Sequence, residues 1–178
     1  MQINSGYGNT TTNWNQTSKV QKHKNTNTSN TFALNENKHS FGNVNLEWGE
    51  GAVLACATPG GNSFTLYKNE SYSREDPWLL VKGVDQQGNS YEERINAKGV
   101  DPSNSSYVEL MALNAYLVDI GTLKSSMDYF PRENTDDFAK QNYMSILQDW
   151  RDMQQKMGNW AGYKQFSDVC NALSGFTK

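Results

Sequence analysis

Trp78-Leu79-Leu80-Val81-Lys82-Gly83-Val84-Asp85-Gln86-Gln87-Gly88-Asn89-Ser90-Tyr91-Glu92-Glu93-Arg94-Ile95 decides the fold. Pro77 precedes an apolar run of strand length, a turn rich in amides and glycine follows, and a more polar run comes after it. This is the pattern of a β-hairpin, with Gly88 where the loop needs a left-handed residue. Strand side chains alternate, so Tyr91, Glu93 and Ile95 share one face while Glu92 and Arg94 share the other. Upstream, Ser63-Phe64-Thr65-Leu66-Tyr67 has the same period of two and reads as another strand. The apolar run Ala52–Ala57 before it ends at Thr58-Pro59-Gly60-Gly61, a turn signal.

Downstream the period changes to that of helices. Asp101-Pro102 marks a turn, and Ser106 with Glu109 three positions later forms a capping-box signature. The helix that follows runs to about Ile120 and stops at Gly121, with Tyr107, Leu110, Met111, Leu117 and Val118 as its apolar stripe. A second helix is predicted from a Thr135 cap, with Asp136 and Asp137 in its first turn, where the helix dipole favours negative charge. Its stripe is Tyr143, Ile146, Leu147, Trp150, Met153 and Met157, Gly158 ends it, and its length comes to roughly 33 Å at 1.5 Å per residue. A third helix follows an Asn159 cap, turns Tyr163, Phe166, Cys170 and Leu173 inward, and stops at Gly175. The expected fold is α+β: a small antiparallel sheet of about three to five strands, including the hairpin near 78–96, against two or three C-terminal helices.

Residues 1–45 differ in kind. They hold 11 Asn, 7 Thr and 4 Ser, and four lysines against Glu36, a net of +3, while residues 46–178 carry 12 basic and 18 acidic side chains. Their apolar residues are isolated, so little surface is available to offset the entropy of ordering. The expectation is a flexible N-terminal arm over 1–45, with Phe32-Ala33-Leu34 as a docking point, and one globular domain over 46–178. Sequons at Asn9, Asn15, Asn27, Asn69 and Asn104 follow from this Asn- and Thr-rich composition. No stretch approaches the ~20 apolar residues of a membrane span, and no apolar core of a signal peptide is visible at the start. The expected location is therefore cytoplasmic, or outside the cell without a classical signal peptide. A formal net charge of −3 gives no reason to expect nucleic acid.

One stretch has a familiar look. Leu80-Val81-Lys82-Gly83-Val84-Asp85, Gly88, Tyr91-Glu92, Asp101-Pro102 and Ser106-Tyr107-Val108-Glu109-Leu110-Met111-Ala112-Leu113-Asn114-Ala115-Tyr116-Leu117 resemble a group of uncharacterised Firmicutes proteins that also begin with a short polar Ser/Asn/Thr-rich segment. The resemblance covers about 40 positions. It implies a bacterial source and the order hairpin, then helix, and it transfers no catalytic residue.

No catalytic constellation stands out. Cys56 and Cys170 are 114 positions apart and outside any CxxC pair, so they read as small buried hydrophobes, with a single long-range disulfide as the alternative in an oxidising compartment. The two histidines, His23 and His39, fall in the polar N-terminal stretch, away from any predicted nucleophile. Glu92 and Glu93 point to opposite faces of a strand and form no acid–base pair there. Asp149 and Asp152 read as a solvated face. Asp85-Gln86-Gln87-Gly88-Asn89 lacks the ligand pattern of an EF-hand, and Gly60-Gly61 lacks the Lys-Ser or Lys-Thr of a phosphate loop. No metal and no cofactor is expected.

The candidates that remain concern binding. Asn114 falls inside an apolar helical stripe, where its amide either ties the helix to neighbouring backbone or reaches a ligand. Trp48, Trp78 and Trp160 lie near element ends, where they pack at the boundary or form stacking platforms. Trp150 reads as core. Met111, Met144, Met153 and Met157 read as gap-fillers, with a soft partner-binding face as their other use. The expected function is a non-enzymatic bacterial protein that binds another protein or is associated with export. A carbohydrate- or small-ligand-binding module is the alternative, and an enzyme of unknown class comes third.

Overall fold

A computed structural model describes residues 37–41, 44–58, 62–127 and 130–178. His23, Phe32-Ala33-Leu34, the sequons at Asn9, Asn15 and Asn27, Gly60-Gly61 and the arm reading over 1–36 lie outside the described residues. Two short strands, β1 (Asn37–Phe41) and β2 (Val44–Trp48), pair antiparallel. Both begin inside the stretch that composition assigned to the arm, so among the described residues regular structure is present from Asn37 onward. Strand pairing asks only for main-chain partners, and a polar segment can supply those.

The main sheet is four-stranded and antiparallel, in the order β3 (Ala52–Ala57), β4 (Ser63–Lys68), β5 (Trp78–Val84), β6 (Ser90–Asn96). The hairpin read from the sequence is β5–β6, in register from Trp78–Asn96 to Val84–Ser90. Gly88 has a φ of +85° and closes its turn, held by Asp85, whose carboxylate accepts from the amides of Gln87 and Asn89. Leu54, Cys56, Phe64, Leu66, Leu79, Val81 and Ile95 face the core. Gly83 is required there: the ring of Tyr91 lies over it, and a Cβ would come within 2.5 Å of that ring and 2.6 Å of the Ser63 carbonyl.

A 3₁₀ turn (Ala97–Gly99) leads to α1 (Tyr107–Asp119), α2 (Tyr143–Lys156) and α3 (Trp160–Ser174). The fold is thus α+β. The capping box of α1 is complete, with Ser106 accepting from the Glu109 amide and Glu109 accepting from the Ser106 amide. Helix α1 differs from the expected one-sided stripe: Tyr107, Val108, Leu110 to Leu117 are all buried. It is the central element. The Tyr107 ring lies edge-on to Phe64 of the sheet, centroids 6.3 Å apart, and 6.4 Å from Tyr143 of α2. A helix covered on all sides has little amphipathicity to read.

The start of α2 is corrected. Thr135 is not its cap and Asp136 and Asp137 do not form its first turn. Asn142 is the cap, accepting from the Ser145 amide at 3.0 Å, so the helix has 14 residues and measures about 21 Å. The reason is Asp137. Its side chain is fully buried and accepts from Thr58 Oγ1 at 3.1 Å, Asn62 Nδ2 at 2.6 Å and the Arg132 guanidinium. Its carbonyl takes the amide of Tyr107. A carboxylate held this way draws the chain into the body before the helix can start.

Candidate functional site

The four residues singled out from the sequence lie in three different places. Asn114 is fully buried. Its Nδ2 donates to Ser126 Oγ at 2.6 Å and to the Met127 carbonyl at 3.3 Å, pinning the loop after α1. A groove of about 830 Å³ runs between that loop and α3, with Leu123, Met127 and Val169 in its floor and Lys164 and Asp168 on its rim. Asn114 stands behind the groove wall and does not line it. Its geometry is that of a structural tie.

Trp48 and Trp78 are exposed and belong to the sheet strands. Trp48 lines a cavity of about 310 Å³ with Tyr67, Leu80, Lys68 and Lys82. Trp78 and Leu80 are two apart on β5 and so share the face turned away from the core.

Trp160 belongs to a larger feature. Helices α2 and α3 form an antiparallel hairpin through Gly158, which has a φ of +71°. The Asn159 side chain caps α3 by accepting from the Gly162 amide at 3.2 Å and donates to Gln154 at 2.6 Å. Burial divides the hairpin in two. At its root Tyr143, Ile146 and Leu147 of α2 and Val169, Cys170 and Leu173 of α3 are buried. Beyond the root no residue from Gln148 to Asp168 is buried. Trp150 is 41% exposed, Met153 38%, Met157 70% and Trp160 64%. Trp150 is therefore not a core residue, and Met153 and Met157 do not fill gaps. Trp150 lies tilted against Phe166 with centroids 6.1 Å apart, and Trp160 meets Tyr163 edge-on.

Electrostatics leaves this tip neutral. Helices α2 and α3 carry three basic and three acidic side chains. Arg151 pairs with Asp152, and Lys164 with Asp168. Asp149 and Lys156 make no ion pair among the described residues. The Cys170 thiol at the root is pushed above its usual range by burial, an effect the nearby Arg151 partly offsets.

The polar cluster around Asp137 is closed to solvent. Around Asp137, the Arg132 guanidinium also covers the ring of Tyr107 at 4.3 Å, and Tyr107 Oη is 3.9 Å from Cys56 Sγ. Burial raises the hydroxyls of Tyr91 and Tyr107 and keeps them protonated. Among the described residues no three His, Cys, Asp or Glu side chains are grouped to hold a metal ion, and no helix is long and apolar enough to cross a membrane. Sequence reasoning found the stripe of α2 but placed all of it in the core. Nothing in the stripe itself says where the body ends. The Gly158–Asn159 turn was legible as the link between two helices, but it does not show that the hairpin protrudes.

No protein-family model, curated protein or solved structure matches this chain.

Proposed function

We propose that this chain is a non-enzymatic protein-binding module that contacts a protein partner through the outer half of the α2–α3 hairpin. One observation carries the reading: four large apolar side chains, Trp150, Met153, Met157 and Trp160, stand exposed in the stretch of the hairpin, 148–168, where no residue is fully buried. Clustered exposed aromatics and methionines are the composition of interface centres, and a cluster of this kind is unusual on a surface that meets only water. The neutral tip favours an apolar protein surface over a polyanion. The motif resemblance supports a bacterial source.

The test is photo-crosslinking in the cells that make the protein. A benzophenone side chain replaces Met157 in one version and Gln87, exposed in the β5–β6 turn, in another. A protein adduct formed from position 157 and not from 87 is the expected result. No adduct at 157, or the same adducts from both positions, overturns the reading.

The cavity beside Trp48 supports a second reading, a small-ligand or carbohydrate site on the outer sheet face, where an indole and a phenol flank lysine and asparagine side chains. Tryptophan fluorescence across a broad glycan panel tests it. A saturable shift lost in Trp48→Ala supports it, and no shift across the panel removes it.

A further inference from the structure

We infer that the hairpin is self-complementary and that its occupant is the hairpin of a second copy of this chain, laid antiparallel along α2. The inference rests on the reading of the hairpin tip as a protein-contact surface and names the partner. Ile146, Trp150, Met153 and Met157 recur at spacings of four, three and four, the alternation of a coiled-coil seam. Ile146 enters the core and the rest of the seam is open.

The flanks of the seam decide the orientation. On one flank lie Leu147, which is buried, and Gln154, which meets the Asn159 and Gly162 end of α3. That flank is occupied by the chain's own third helix. On the other flank lie Asp149 and Lys156, both exposed. Two parallel helices bring the open flank of one against the covered flank of the other, which α3 blocks. Two antiparallel helices bring open flank against open flank on one side of the seam and covered flank against covered flank on the other, which sets the two α3 helices side by side.

A two-fold axis midway between Trp150 and Met153 then sets each Trp150 against the partner's Met153. In the same register each Asp149 faces the partner's Lys156. The two-fold axis repeats this ion pair, so the arrangement closes with two copies. The same two residues make no ion pair within the chain among the described residues. With each α3 on the covered flank of its own α2, the two α3 helices meet on one side of the seam and the pair forms a four-helix bundle.

Sedimentation equilibrium of the full chain, from micromolar to about 1 mM, reads the association. The mass is expected to rise from 20.1 kDa toward twice that value. Asp149→Lys alone and Lys156→Asp alone each place like charges across the interface and are expected to weaken self-association by at least about tenfold. Mixed in equal amounts, the two variants regain complementary pairs and are expected to associate with each other. Circular dichroism checks that each variant folds, which exposed positions allow.

A wild-type chain that stays monomeric throughout the range overturns the inference. So does a dimer indifferent to both substitutions, or a mixture that associates no better than either variant alone. The protein-contact reading fails separately. A monomer whose position-157 crosslink has a mass other than twice the chain retains that reading with a different partner, and a monomer with no crosslink loses both.

Discussion

Asn62 donates its side-chain amide to the Asp137 carboxylate across 2.6 Å, although the two residues are 75 positions apart. The bond joins the turn after β3 to the connection before α2. Thr58 and Arg132 complete the same carboxylate, and all of this is buried. An ion pair in such a place costs much to desolvate and more to break. Asp137→Ala leaves Arg132 without its carboxylate and is expected to cost about 3–5 kcal/mol, measured by urea unfolding. Replacing both, Arg132→Leu with Asp137→Ala, is expected to recover part of that loss. A single variant within about 1 kcal/mol of wild type would show the cluster to be dispensable.

Asp119 sets an acid-side dependence. Hydrogen bonding by Lys68 holds its carboxyl below the usual carboxylate range, aided by Tyr72 at 2.9 Å and Arg74 at 3.3 Å. A folded-state pKa below the unfolded value, about 3.9 for Asp, means that the unfolded chain binds the proton more readily. The contribution is therefore complete above about pH 4 and is lost as pH falls through the folded value. Asp119→Asn is expected to lower stability at pH 7 by about 1–2 kcal/mol and to flatten the stability profile below about pH 4. A profile in the variant as steep as in wild type would assign the acid transition to other carboxylates.

Asn114 predicts a structural loss and no change in ligand contact. Asn114→Leu removes the donor to Ser126 Oγ and the Met127 carbonyl, which then keep only their bond to each other, and is expected to cost about 1 kcal/mol. The melting temperature is expected to fall by a few degrees per kcal/mol. An unchanged melting temperature would mean that the amide is not a buried tie.

The cysteines provide a probe of the core. Cys56 and Cys170 are both buried, and burial further disfavours the reactive thiolate of Cys170. Reaction with a thiol reagent at pH 8 is expected to be slow in the native protein and fast in denaturant. Fast labelling of Cys170 under native conditions would mean that the root of the hairpin opens.

Much of this fold is written locally. The β5–β6 hairpin, the capping box of α1, the Gly121 stop and the limits of α3 all follow from residues within one turn of each other, and each stands where those residues place it. What lies beyond the sequence depends on distant partners. Asp137 read as a dipole residue because Thr58, Asn62 and Arg132 come to it only after folding. The burial of α1 on every side depends on the sheet and α2 closing over it. For the candidate site, the stripe of α2 was legible down to its last methionine. Its division into a buried root and an exposed tip was not, because the extent of the body is a property of the whole chain. Among the chosen tryptophans Trp160 falls on that tip, while Trp48 belongs to β2 and Trp78 to β5.

The central claim is that the apolar end of the hairpin is surface kept for a partner. The most direct measurement is the melting temperature of Met157→Ser with Trp160→Ser, at micromolar concentration. If these side chains stabilise nothing within one chain, the value stays within about 2–4 °C of wild type, as for surface substitutions. A fall of about 10 °C or more would place them in the core and contradict the account.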